Sequence, residues 1–159
     1  MFSSEITAGR RIIVVLQPGD DVLPSIVEAC DQHRISQGYL PVFLGAFAAV
    51  TLIATAEPIL DEDAPLPLSV AHRNTEGTGS GTLVSVDGVV VPHVHVAVGA
   101  KGQSGAAYAG HLLGATVQYV TEVVIEEVLE PRFEKRADAA AHGLANLWFD
   151  HAETDALTT

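Results

Sequence analysis

His93 and His95 stand two positions apart in the run VVVPHVHVAV. Side chains alternate along a β-strand, so the two imidazoles project from one face, with Val89, Val91 and Ala97. Val90, Pro92, Val94, Val96 and Val98 form the opposite face and read as core. Imidazoles at i and i+2 can converge on one ion. His111 follows His95 by 16 residues, across a Gly-rich stretch, where a neighbouring strand would begin. Three neutral imidazoles make a catalytic-type zinc site with a fourth position left for water or substrate. Two histidines on a half-exposed strand also read as ordinary outward polar residues. The third, set between Gly110 and Gly114, turns the balance toward zinc or another divalent transition metal. Seven histidines against one cysteine point to imidazole, not thiolate, as the ligand.

Other side chains enter with smaller claims. Glu122 could fix a histidine tautomer or act as acid or base, although a solvated strand glutamate is the simpler reading. Lys101 and Arg73 are rare cations, among eight basic residues, and could hold an anionic substrate; loop cations are mostly solvated. Tyr108 could reach a metal-bound ligand, or simply pack. His33, His72, His142 and His151 lack converging partners and read as surface histidines. Asp61-Glu62-Asp63 reads as a solvated loop, because its spacing does not match an EF-hand. Gly77, Gly79 and Gly81 make no phosphate loop, because no Lys-Ser/Thr pair follows them.

The elements that must position these residues follow from pattern. Arg10–Gln17 is a β-branched apolar run and reads as a strand. Pro18-Gly19-Asp20-Asp21 is a turn leading to a helix N-cap. Val22, Leu23, Ile26, Val27 and Cys30 recur at helical spacing, which predicts an amphipathic helix over about Asp21–His33, with Gly38 in the turn that ends it. Two strands are expected at about Tyr39–Leu44 and Phe47–Ala56, divided by Pro41 and Gly45. Pro58–Pro67 reads as a surface loop, Leu68–Arg73 as a short strand and Asn74–Gly81 as a flexible or tightly turned segment. Asp87-Gly88 between Thr82–Val86 and Val89–Val98 is a strong hairpin signal. Gly99–Gly110 reads as a loop and Leu112–Leu129 as one long strand. From Pro131 to Phe149 a helix and a packed tail are equally compatible. The sum is an α+β chain: mainly antiparallel strands in one sheet with one packed helix. It forms a single domain, with a core of about 10–130 and a tail of 131–159.

An HxH pair also opens the cupin pattern. Here only four residues separate Gly88 from His93, and Gly99 and Ala100 stand where the cupin glutamate would be. The chain resembles a different family. LQPGDDV at the helix entry, the Gly38 and Gly45 strand pair, DGVVVPHVHVAVG, AGHLLGATV and VTEVVIEEV together look like the plant-and-prokaryote-conserved domain (PPC or PCC), from about Arg10 to Val128. The tail residues Lys135-Arg136-Ala137-Asp138 and Gly143-Leu144 are similar to the family's C-terminal segment. The resemblance implies a mainly antiparallel fold with a packed helix and assembly into a homotrimer. It also implies, as in prokaryotic members, a metal, usually taken to be zinc, on His93, His95 and His111 near the subunit boundary. The segment HRNTEGTGSGTL departs from the family's usual Phe-Glu-Ile-Leu-Ser strand, and no AT-hook is present.

Charge then selects among functions. With 8 basic against 20 acidic residues, the formal net charge is −12. Phosphate contacts need Lys and Arg, so nucleic acid is not an expected partner, and no polybasic segment suits an anionic membrane. One cysteine excludes an intramolecular disulfide framework. The start of the chain lacks the apolar region of a signal peptide, and no run reaches the roughly 20 apolar residues of a membrane span, so a cytoplasmic protein is expected. A chain that is 48% apolar has surface to bury against copies of itself, without choosing three over two. The leading reading is a metal-dependent hydrolase or lyase acting on a small molecule. The runner-up is a regulatory or protein-binding module with a structural metal. DNA binding ranks last.

Overall fold

The computed structural model describes residues 1–53, 69–103, 106–141 and 143–150. Its elements are β1 (Thr7–Leu16), α1 (Val22–His33), β2 (Gln37–Ile53), β3 (Ser69–Val86), β4 (Val89–Ala100), β5 (Ala107–Glu130), β6 (Phe133–Ala137), a 3-10 turn (Ala139–Ala141) and β7 (Ala145–Phe149). The strands are antiparallel, in the order β1-β5-β2-β3-β4. β4 also pairs with β5, so the sheet closes into a barrel, which no sequence pattern foretold. Closure is possible because β5 is 24 residues long. One edge of β5 pairs with β2. The other pairs with β4 at Ala107–His111 and with β1 from Thr121 to Glu130.

Between those two partners Thr116 and Val117 of that edge pair with Gly19–Asp21, the turn that leads into α1, and α1 packs on β4, β5 and β1. Val22, Ile26, Ala29 and Cys30 recur at helical spacing and are buried. Each large member of that stripe contributes on the order of 1.5–3 kcal/mol by leaving water. Asp21 begins the helix without a side-chain cap bond; its Oδ1 instead accepts from Thr116 Oγ1 of β5 at 3.2 Å. Arg34, left-handed at φ 55°, ends the helix. Gly38 is not part of that turn: it lies in β2, where a Cβ would meet the Glu126 carbonyl.

Several expected breaks are strand interior. β2 runs unbroken past Pro41, because a bulge between Leu40 and Leu44 absorbs the residue that lacks an N–H. β3 is continuous through Asn74–Gly81, and β5 begins at Ala107, inside the expected Gly99–Gly110 loop. Gly77, Gly79 and Gly81 share the barrel's inner face with Leu83, which is buried. A Cβ on them would meet the carbonyls of Ala97, His95 and His93, so the absence of side chains lets β3 and β4 close tightly. Of the two expected alternatives the tail takes the packed one: β6 and β7 form a hairpin. It lies on the outer face, with Phe133 packed on Val84 and Val128. Gln37 fastens it, donating to the carbonyls of Val128 (3.0 Å) and Pro131 (2.9 Å) and accepting from Phe133 N–H (2.8 Å). Asp61-Glu62-Asp63, Leu68, the end of the expected Phe47–Ala56 strand, His142 and His151 lie outside the described residues. Among the described residues no helix is long and apolar enough to cross a membrane.

A Gly79→Ala substitution should destabilise the fold by about 1–3 kcal/mol, because the new methyl meets Val96 Cγ1 at 2.8 Å and the His95 carbonyl. Gly114→Ala, with nothing within 4 Å, should be neutral or gain a few tenths of a kcal/mol. Denaturant melts of both variants measure this; equal losses would contradict the packing argument.

Candidate metal centre

β4 is built from alternating valines, and the turn that starts it is the type the sequence demands. Asp87 (φ 51°) and Gly88 (φ 83°) are both left-handed, as a type I′ hairpin requires. Val94, Val96 and Val98 are buried inside the barrel. His93 and His95 therefore face outward. On β5, His111 pairs with His95 across the closing seam. A register shift between Thr51 and Leu52, opposite Gly114 and Leu112, follows directly. It lets Leu112 and Ala115 both point inward while His111 points out.

The three rings converge. Their ligand-type nitrogens all lie within 4.8 Å of one another. Ring centroids are 5.2 Å apart for His93–His95, 4.9 Å for His93–His111 and 5.3 Å for His95–His111. His93 Nε2 and His95 Nε2 stand 3.2 Å apart. Two nitrogens on one tetrahedral zinc, each at about 2.0–2.1 Å, are separated by close to that distance. Burial pushes the His93 imidazolium down to about 4, with Lys135, His111 and His95 adding to the effect. Burial also lowers His111, followed by His95 and Lys135. Both rings are thus neutral near pH 7 and offer lone pairs, as metal ligation requires. The donor set and its spacing fit a divalent transition metal.

A cation borders the centre. Lys135 of β6 places Nζ 3.4 Å from His93 Nδ1. Local sequence carried no signal for this contact, which depends on where the tail hairpin packs. The other expected residues lie elsewhere. Lys101 Nζ donates to Gln118 Oε1 (3.0 Å), sits 3.8 Å from Glu76 Oε2 and stands over the Tyr119 ring at 4.6 Å. Tyr108 is on the opposite face of β5 from His111 and stacks on His72, centroids 3.7 Å apart. Arg73 is an exposed residue of β3, opposite Ala49. Glu122 is exposed on β5, opposite Val15 and Leu44. The structure brings together His93, His95 and His111, and adds Lys135; it does not bring Glu122, Lys101, Tyr108 or Arg73 to them.

Residues 3–129 match the Plants and Prokaryotes Conserved (PCC) domain. The chain belongs to the PCC domain family. No curated protein matches it. Solved PCC-like folds include a plant- and prokaryote-conserved protein from Pyrococcus horikoshii, with TM-score 0.77, 19% identity and coverage of 96% of this chain and 99% of that one. A metal-containing protein from Archaeoglobus fulgidus gives TM-score 0.73 at 22% identity, covering 93% and 99%. A Ralstonia eutropha protein described as a candidate for DNA binding gives 0.71 at 22% identity, covering 86% and 89%. The PCC match ends before the hairpin that carries Lys135.

The lowered His93 pKa has a consequence for stability. Between pH 6.5 and about 4 the unfolded chain takes up a proton that the folded chain refuses, so this ring makes stability fall as pH drops through that window. In chelator, wild type should therefore lose more stability between about pH 7 and pH 5 than His93→Gln does. Denaturant melts at both pH values give the double difference, and parallel pH profiles would refute it.

Proposed function

We propose that this PCC domain is of the three-His prokaryotic type: a homotrimer that binds zinc or another divalent transition metal on His93, His95 and His111 and acts as a hydrolase or lyase on a small molecule. The observation that carries the reading is the convergence of three imidazoles, His93 and His111 held neutral by burial, on an outward strand face. Among the described residues the cluster numbers three ligand-type side chains, the count of catalytic rather than closed structural sites. The Archaeoglobus protein described as metal-containing shares the fold, which supports the reading. When bound, a divalent ion there supplies Lewis acidity, polarising a carbonyl or lowering the pKa of water toward about 7. The chain's own residues orient that centre: the β4–β5 pairing fixes His111 against His95, and burial keeps the His93 and His111 rings deprotonated.

The outer face of β1, β5 and β2 supports self-association. Ile13 (68% exposed), Val15 (51%), Val42, Leu44 and Val120 form an apolar surface there. Glu122 lies within that surface, away from this chain's own three histidines. The same surface suits the alternative of a regulatory module with a structural metal. Duplex DNA is disfavoured: of eight basic residues, Arg10, Arg11, Lys101 and Arg136 already sit against carboxylates.

Elemental analysis should find about one metal per chain in wild type and a several-fold loss in His93→Ala, since removing a ligand leaves an incomplete site. The zinc-loaded protein should turn over a candidate ester, amide or oxo-acid, with activity lost in the same variant. Full metal content and full activity in His93→Ala would end this reading. Metal removal that lowers Tm, with no small molecule turned over or bound, would favour the regulatory alternative.

A further inference from the structure

Lys135 is the cation that, among the described residues, reaches an imidazole. Its neighbours on β6 are spoken for: Glu134 and Arg136 pair with each other at 2.9 Å, and Arg136 lies over the Trp148 ring. Lys135 itself has no carboxylate partner among the described residues, in a chain of net charge −12. Its position is nevertheless well fixed. Gln37 and the Phe133–Val84–Val128 cluster hold the hairpin, and Lys135 pairs with Leu147 across it. A half-buried ammonium without a counter-charge needs a polar partner.

Its partner in this structure is His93 Nδ1, and hydrogen-bond chemistry makes that contact conditional. An ammonium only donates, so Nδ1 accepts and the His93 proton sits on Nε2, from which it donates to His95 Nε2. Ligation of a metal through both Nε2 atoms requires lone pairs there. The His93 proton then moves to Nδ1, and Lys135 can no longer donate to it. The metal-loaded centre thus leaves a fixed ammonium facing a divalent ion. Two cations so close repel unless an anion lies with them.

We infer that Lys135 is the substrate-binding cation of the three-His centre, and that the small molecule taken there carries a carboxylate or equivalent oxyanion recognised by Nζ. The inference rests on the metal reading above. It differs from a role for Lys101 or Arg73, since Lys101 is engaged with Gln118 and Glu76 and neither reaches the histidines. It also answers the chain's overall charge: a local cation offsets a field that would otherwise repel an anionic substrate.

The test is a Co2+-substituted chain followed by its visible absorption spectrum. Acetate titrated into wild type should perturb the Co2+ bands, while acetamide, its neutral near-isostere, should not. In Lys135→Met the acetate dissociation constant should rise about tenfold or more, with Co2+ stoichiometry unchanged; Lys135→Arg should restore most of the binding. Equal acetate affinity in wild type and Lys135→Met, or equal response to acetate and acetamide, would overturn the inference while leaving the metal reading intact. Failure of wild type to bind Co2+, or undiminished binding in His93→Ala, would overturn the metal reading and the inference with it.

Discussion

Everything at this site depends on one short strand pairing, β4 against the first residues of β5. It runs from Gly99↔Ala107 to His95↔His111. That pairing closes the barrel, and its last rung is the contact that brings the third histidine to the other two. Without it, His93 and His95 would be two outward residues on a half-exposed strand. The pairing is only possible if the ring is small, and the ring is small because β3 offers Gly77, Gly79 and Gly81 to the interior. Core packing and site geometry are therefore one constraint. The barrel cannot loosen around Phe43, Phe47 and Val96 without moving the backbone that carries the ligands.

Local residue pattern made much of this legible. The alternation of β4, the Asp87-Gly88 turn, the stripe of α1 and the convergence of His93 with His95 all follow from short-range rules. Those rules failed where tertiary structure reversed a local preference. Glycine every second residue in β3 suggests a turned segment, yet in a closed barrel it is what a crowded inner face requires. Pro41 suggests an interruption, yet a bulge lets the strand continue. Closure could not be foreseen, because the edge of β5 away from β2 changes partner along its length, and no periodicity encodes which strand takes which half. Lys135 was invisible as a site residue for a similar reason: only long-range packing of the tail brings it beside His93.

The electrostatics of the centre run against those of the chain. An acidic protein would be expected to raise histidine pKa values through its field, yet burial, the first cause, together with neighbouring cationic groups pushes His93 and His111 down. Burial also lowers the Lys135 ammonium. Two carboxylates of β5 are neutralised locally instead. Glu126, only 5% exposed, is held below the usual carboxylate range by hydrogen bonds from Arg11 and then Tyr39. Glu127 is held down in the same way by Arg10. At the histidines, local burial and Lys135 thus act against the field of the acidic chain.

The strand register shows how the centre is bounded. Arg11, Glu126, Tyr39, Thr82 and His93 occupy one row across all five strands of the barrel sheet, on its outer face. On one side of that row lie Gln37, Val84 and Val128, covered by the β6–β7 hairpin. On the other side the face is open. The neighbouring row there holds Ile13, Val124 and Val42 at one end and Ser80 and His95 at the other. The histidines therefore straddle a boundary, with His93 against the hairpin and its lysine, and His95 toward the open apolar face. Covering that open face would narrow access to the centre without displacing Lys135, so one edge of the site is fixed by this chain's own tail and the opposite edge is free to be completed by another surface.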